Sequence, residues 1–364
     1  MKTLAYVVSS HGFGHAARSA AVLSAFGALH PDVRLCVVTT TPRWFFEQSL
    51  DVPCDYCEVT TDLGLVQASS LEEDLEATLE RLESMFGNPD RMVAPIADAL
   101  REIRPDLVAC DISPWGLEAA RGLGLPTVLL ENFTWDWIYR GYGDPRLDHA
   151  ADRFSPLFRA DHHLRLEPYC GPLGDATPVP PVARPSRRSR EAVRQDLGVP
   201  ESASMALVTM GGVPWSFDDV EAQLEARSGR HVLVIAGGAP EVKRFPGCVL
   251  IPHQSDFYHP DMVAAADVVV GKLGYSTVAE VAESGAAFLY VPRPRFRESP
   301  ALEAWVLRHL AARRFSPDDL TARNWLARLD AALEALSAES PKASRGGGAR
   351  RAAEALGSWL DPPP

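Results

Sequence analysis

No apolar run in this sequence is long enough to cross a bilayer: the longest strand-like stretches, residues 4–8 and 264–270, fall far short of the roughly 20 residues a helical span requires. The N-terminus offers Lys2 and a few apolar residues before the polar Ser9-Ser10-His11 run, too little for a signal-peptide core. A cytoplasmic protein without a membrane span is therefore expected. Basic charge is not in excess either. With 36 Lys+Arg against 48 Asp+Glu, the formal net charge is −12, which argues against general affinity for nucleic acid and leaves any anionic ligand to be met by local groups. Paired cysteines are also lacking. Cys54 and Cys57 have C-x-x-C spacing, but no second pair completes a zinc site, and four of the six cysteines (Cys36, Cys54, Cys57, Cys110, Cys170, Cys248) sit in or beside apolar stretches. Reduced core thiols, with no metal, are expected.

What is present is a pair of glycine-rich loops, one in each half, each following an apolar strand-like run and opening a helix. The first is Ser9-Ser10-His11-Gly12-Phe13-Gly14-His15 and the second Gly271-Lys272-Leu273-Gly274-Tyr275-Ser276-Thr277. Such loops bring backbone N–H groups and a helix N-terminus against a ligand, a setting that favours phosphate. A length of 364 residues suits two cores of ordinary size. In the first half, residues 4–8, 35–39, 107–110 and 127–130 are continuous apolar runs separated by helical patterns, the mark of parallel strands buried on both faces. The pattern restarts after residue 200, with runs at 205–210, 232–236, 249–251, 268–270 and 287–291. Five prolines between Gly171 and Ser186 predict an extended connector without a regular element. The expected organisation is an α/β fold of two Rossmann-like domains facing across a cleft. The first spans 1–170, a linker 171–186, the second 187–343, and a tail 344–364 ends in a helix from Ala349 that could cross back to the first domain.

Gly12-Phe13-Gly14-His15-Ala16-Ala17 also fits the dinucleotide fingerprint G-x-G-x-x-G/A. That reading needs an acidic residue at the end of the second strand to hold an NAD ribose. Thr39-Thr40-Thr41 stands there, and Arg43 leaves only an NADP variant open. The second loop is not a Walker A motif, because Leu273 follows the Gly-Lys and Ala266 holds the upstream glycine position.

Within the first loop His15 lies at a helix start, where its ring can project into the cleft or merely cap and pack. Asp111 ends the strand 107–110, and carboxyl ends of parallel strands line the ligand crevice. A carboxylate there could hold one ring nitrogen and strengthen the other as a base, or could cap the helix near Pro114. His11 is a possible substitute for His15. In the second loop, the backbone of Ser276 and Thr277 would meet a diphosphate, Lys272 would add a full charge, and Glu280 could accept ribose hydroxyls. Trp135 and Trp137, beside Asn132 and Asp136, would form either an acceptor wall or core. Trp44-Phe45-Phe46 would be either a peripheral membrane contact or a buried helix face.

The stretch from Asp267 through Val291-Pro292 to Glu298 resembles the donor-binding segment of GT-B glycosyltransferases, most of all the branch containing the peptidoglycan N-acetylglucosaminyl transferase. The similarity is closer still to the glycosyltransferase-like N-terminal region of plant arabinokinases, carried by residues 11–16, by Asn132-Phe133-Thr134-Trp135-Asp136-Trp137 and by the second loop. The resemblance implies His15 as catalytic base and Asp111 as its paired aspartate. It further implies a donor site of Gly211, Gly212, Lys272, Gly274, Tyr275, Ser276, Thr277, Glu280 and Glu298, with Glu298 reading sugar hydroxyls. Phe257, Tyr258 and Met262 would lie near the nucleobase, and His11, Gly12, Asn132, Trp135 and Asp136 near the acceptor. Lys272 stands where the plant enzymes have a histidine, and their Asp-Gln pair is absent around Arg297-Glu298.

The expected activity is metal-independent, inverting transfer of a sugar from a nucleoside diphosphate donor, a UDP-sugar as co-substrate with no other cofactor, to an acceptor hydroxyl. The alternatives are a nucleotide- or sugar-binding module without catalysis, a nucleotide-sugar epimerase, and an NADP enzyme. With no kinase segment read in these residues, catalysis is the expectation. Acceptor and oligomeric state stay open.

Overall fold

The computed structural model describes residues 1–69, 71–210, 223–224, 227, 229–336 and 346–361. Its first sheet takes in β1 (Thr3–Val8), β2 (Arg34–Val38) and β3 (Asp55–Cys57). A two-stranded hairpin, β4 (Val66–Gln67) with β5 (Glu73–Asp74), stands apart from it. The sheet continues with β6 (Leu107–Asp111), β7 (Thr127–Glu131), β8 (His162–Leu166) and β9 (Thr177–Val179), in the order β3-β2-β1-β6-β7-β8-β9, all parallel. The second sheet is built from β10 (Ser204–Thr209), β11 (His231–Ala236), β12 (Lys243–Phe245), β13 (Cys248–Ile251), β14 (Val268–Lys272), β15 (Ala287–Val291) and β16 (Ala312–Arg314). Its order is β12-β13-β11-β10-β14-β15-β16, parallel except for the antiparallel edge strand β12.

The continuous apolar runs become strands covered on both faces. Ala5, Val7, Cys36, Val38, Val108 and Cys110 feed the core on one side of the first sheet, and Leu4, Tyr6, Val8, Leu35, Val37, Leu107 and Ala109 that on the other, as the two-residue alternation of a strand requires. Helices on both faces bury these side chains, since parallel strands need crossover connections. Each sheet reverses its strand order once, between β1 and β6 and between β10 and β14. A crevice opens at the carboxyl ends of strands at such a reversal. The two glycine loops therefore leave the sheets at these reversals, the first following β1 and the second following β14.

The proline-rich connector differs from expectation, because Thr177–Val179 forms β9 with Pro178 at its centre. β9 is the edge of its sheet and pairs only with β8, and an edge strand tolerates a residue without an N–H. Beyond it, the Val182 N–H donates to Tyr275 Oη at 3.1 Å, tying the connector to the second loop. The helix Arg190–Leu197 is capped by Ser189 and stopped by Gly198 in the left-handed conformation. The last described helix, Gly348–Leu360, lies against the helix Phe13–Leu29. Trp359 stacks on His162 with ring centroids 4.2 Å apart, and Lys2 Nζ donates to the Leu360 carbonyl at 2.6 Å. The thiols of Cys36 and Cys54 are raised to about 12, chiefly by burial, and all six cysteines are unbridged. No helix among the described residues is long and apolar enough to cross a membrane.

Candidate active site

β1 ends in the first loop, and Gly12, at φ 70°, makes the sharp turn that starts the helix Phe13–Leu29. That φ favours glycine. Gly12 caps the helix without a side chain, so the N–H groups of the first turn are left for a ligand. Opposite it, Gly274 caps the helix Tyr275–Ser284, also without a side-chain bond. A Cβ on Gly14 would lie 3.4 Å from Ser276 Oγ, and one on Gly271 would meet the Thr209 carbonyl oxygen at 2.8 Å. The first value shows the two loops in near contact. The second explains why β14 needs a glycine where it runs beside β10. Between the loops lies a cleft of about 240 Å³ lined from both sheets, with His11, His15, Asn132, Lys272, Ser276, Thr277, Glu280 and Glu298 among its walls.

His15 sits in the first helical turn, only 6% exposed, and its Nδ1 is 2.8 Å from Oδ1 of the fully buried Asp111 at the end of β6. Arg18, one turn on, grips the same carboxylate with a fork: Nε to Oδ2 at 2.7 Å and Nη2 to Oδ1 at 2.6 Å. Ser19 Oγ donates to Oδ2 at 3.0 Å. Burial alone would raise the Asp111 carboxyl, but the charge and hydrogen bonds of Arg18, with those of His15, bring it down to about 2. Of the two expectations for Asp111, holding one ring nitrogen of His15 is the one the structure shows, since Ser113 caps the helix Pro114–Gly122. Burial and the Arg18 charge outweigh Asp111 and lower the His15 pKa. The ring is thus held neutral. With Nδ1–H donating to Asp111, Nε2 is left to accept a proton.

His11 has a different task. Its Nδ1 accepts the Leu65 N–H at 3.3 Å, and its Nε2 lies 3.1 Å from the Gln67 amide, oriented to present its oxygen. Both ring nitrogens are engaged, so His11 lines the cleft but is a poor substitute base. Trp135 is fully buried, donates from Nε1 to Asp62 at 2.9 Å, and packs against His11 with centroids 4.9 Å apart. It backs the histidines rather than facing an acceptor. Asp136 bonds to Ser155 Oγ, away from the cleft. Of the two readings for Trp135, wall or core, the structure takes core, and Asp136 is outside the cleft lining. Phe45 and Phe46 are buried, Phe45 stacks on Phe13 at 4.7 Å, and the half-buried Trp44 lines the cleft with Phe45.

On the second sheet, Lys272 ends β14 beside the cleft. Burial and the nearby Arg293 lower its pKa to about 8, against the pull of Glu298 and Glu73. Among the described residues no carboxylate lies within ion-pair distance of it. Arg293 is paired with Glu73 of the hairpin. Glu280 is already engaged: Arg184 donates to Oε1 at 2.9 and 3.0 Å, and His259 Nδ1 lies 2.8 Å from Oε2. Burial raises its carboxyl, but Arg184 and His259 prevail and bring it to about 2. Arg184 also donates to Ser49 Oγ at 2.9 Å, so one connector residue joins a helix of each half. Glu298 accepts from Asn132 Nδ2 at 2.6 Å, and burial raises its pKa.

Gly211 and Gly212 lie outside the described residues. Phe257 and Met262 line the cleft, whereas Tyr258 packs under the connector, 4.1 Å from the Arg187 guanidinium. Ile251, which ends β13, and Pro252 and His253 just past it line the cleft and escaped the sequence reading. Their signal was the position at the end of a parallel strand. Arg18, Arg184 and His259 were also missed, because only folding reveals which buried carboxylate each one pairs with.

Three comparisons bear on this arrangement. MurG of Acinetobacter baumannii superposes with a TM-score of 0.54 at 14% identity, covering 98% of this chain and 100% of its own. A UDP-glucosyltransferase from Polygonum tinctorium superposes at 0.61 and 14% identity, covering 100% and 99%. The chain has the GT-B fold. In sequence it is 32% identical over 306 residues to the L-arabinokinase of Arabidopsis thaliana, a match that takes in 82% of this chain and 29% of that relative's length. No protein-family profile matches the chain. In this GT-B chain the crevice is completed by elements of both halves, His15, Arg18, Asp111 and Asn132 from the first sheet and Lys272, Glu280 and Glu298 from the second. No group of three or more His, Cys, Asp or Glu among the described residues is arranged to hold a metal ion.

Proposed function

We propose that this chain is a glycosyltransferase moving a sugar from a nucleoside diphosphate donor to an acceptor hydroxyl, with inversion. The carrying observation is that one cleft brings together a buried His15 held by Asp111, a helix N-terminus without a side-chain cap, and Lys272, which among the described residues has no carboxylate within ion-pair distance. His15 Nε2 takes the proton of the acceptor hydroxyl as its oxygen attacks the anomeric carbon from the face opposite the diphosphate. The N–H groups at Ser276 and Thr277 and the Lys272 ammonium receive the negative charge that grows on the departing diphosphate. The Lys272 charge and these N–H dipoles would stabilise the leaving group without a metal on this reading, so activity should persist in a chelator. Glu280 holds ribose, Glu298 reads the donor sugar, and a UDP-sugar is the co-substrate we favour. The Polygonum tinctorium neighbour is named as a UDP-glucosyltransferase, which supports that choice. The arabinokinase match favours one second reading, a nucleotide- or sugar-binding module without transfer.

Thermal stability against UDP, GDP, CDP, TDP and NADP tests the proposal. A ligand at a hundredfold over its dissociation constant adds about 2.7 kcal/mol. Stabilisation by one nucleoside diphosphate, followed by release of that nucleotide from its sugar donor when acceptors are supplied, is expected. Binding without turnover would favour the module, and a response to NADP alone would overturn both. Glu280→Gln is expected to weaken nucleotide binding about 10- to 100-fold, the worth of a hydrogen bond to a charged group. Titration calorimetry would read it, and unchanged affinity would remove Glu280 from the ribose.

A further inference from the structure

An unbroken hydrogen-bonded chain crosses the cleft. Glu298, at the start of the helix Ser299–His309, accepts from Asn132 Nδ2 at 2.6 Å, and Asn132 Oδ1 accepts from Arg18 Nη1. Arg18 then grips Asp111 with Nε and Nη2, and Asp111 Oδ1 meets His15 Nδ1. Asn132 and Asp111 are fully buried, and Arg18 and Glu298 are 2% and 3% exposed, so water cannot replace these partners without cost. Arg18 Nη2 also lies 3.0 Å from His15 Nδ1. Arginine carries no acceptor and stays charged, so two arrangements compete at that nitrogen. Either Nδ1–H donates to Asp111 and Nε2 is the base, or Nδ1 accepts from Arg18 and the proton sits on Nε2, which cannot then take another from a substrate.

We propose that Arg18 and Asn132 are positioning residues: Arg18 sets the base strength and tautomer of His15, and Asn132 couples that setting to Glu298 on the donor side of the cleft. The groups facing His15 are consistent with this control. Arg18 and Ser19 come from its own helix, Asp111 from β6, His11 from the first loop, and the rings of Phe133 and Trp135 from the segment after β7. From the second sheet, Tyr275 lies under the Arg18 guanidinium at 5.1 Å. Among the described residues, Arg18 is the one permanent cation that touches both the ring and its carboxylate. Movement of Glu298 toward a sugar hydroxyl would therefore be felt at His15 through two side chains.

The inference rests on the transferase reading for the role of His15, but its test does not require activity. The His15 ring is titrated by NMR in the ligand-free protein, with His15→Gln identifying its signal. In Arg18→Gln the midpoint is expected to rise by about one pH unit or more, the effect of removing a like charge at contact distance. Glu298→Gln is expected to shift the midpoint in the otherwise natural protein and to lose that effect when combined with Asn132→Ala. A folded Arg18→Gln protein with an unmoved midpoint overturns the role of Arg18. Equal effects of Glu298→Gln with and without Asn132 overturn the coupling, and this second comparison stands if Arg18→Gln fails to fold. Should the midpoints move as expected while no donor is turned over, the transferase reading fails and the positioning role survives.

Discussion

Replacing His15 with alanine is expected to lower turnover by about 10²- to 10⁴-fold, the usual contribution of a positioned general base, while leaving nucleotide affinity nearly unchanged. His15 belongs to the first loop, whereas the proposed diphosphate contacts belong to the second, so on this proposal binding and proton removal are divided between the two halves. Initial rates at saturating donor, set beside calorimetric binding of the nucleoside diphosphate, separate the two. Full turnover in the variant would end the assignment of His15 as base. The pH dependence follows from the lowered His15 pKa. The base is active when neutral, so kcat/KM should fall on the acid side with a midpoint below the ordinary imidazole value of about 6.5. A midpoint above that value would mean that Asp111, not Arg18, dominates the ring.

The second large effect is on stability. Asp111→Ala should destabilise the protein by about 3–5 kcal/mol, because it leaves the buried Arg18 guanidinium without its partner. Denaturant unfolding would show it, and a loss below about 1 kcal/mol would mean that the charge cluster contributes little to folding. The same carboxylate makes stability depend on pH. Its folded pKa of about 2 lies below the unfolded value of about 3.9, so between these values the unfolded chain binds more protons. Stability is then fully present above about pH 4 and is lost as pH falls toward 2. For one carboxyl moved this far the loss is about 2 to 3 kcal/mol. Glu280, also held near 2 by Arg184 and His259, adds a loss of the same sign. In Asp111→Asn that part of the acid dependence should vanish.

The local signals in the chain were those of strands and turns. β1, β6, β10 and β14 were legible because a strand covered on both faces must be apolar at every position, whatever its partners. The loops were legible because only glycine turns sharply at Gly12 or fits beside the Thr209 carbonyl at Gly271. Edge strands were not. β9 lies in a run of prolines that suggests no element, and β3 holds three residues with mixed exposure. Neither has the apolar continuity that marks a strand, since each is completed by one neighbour.

The sequence by itself determined that two α/β halves each carry a glycine loop at the end of a buried strand, and that His15, Asp111 and Lys272 stand at such ends. It could do so because backbone geometry and burial on both faces are constraints on neighbouring residues. Only the tertiary structure decided who holds whom. Asp111 lies 93 positions from Arg18, and Asn132 lies 166 from Glu298, and nothing local distinguishes these partners from any other arginine or carboxylate. Trp135 likewise reads the same as cleft wall or as core until Asp62 and the two histidines close around it. A buried charge is defined by what packs against it, and that is settled only when the two sheets meet.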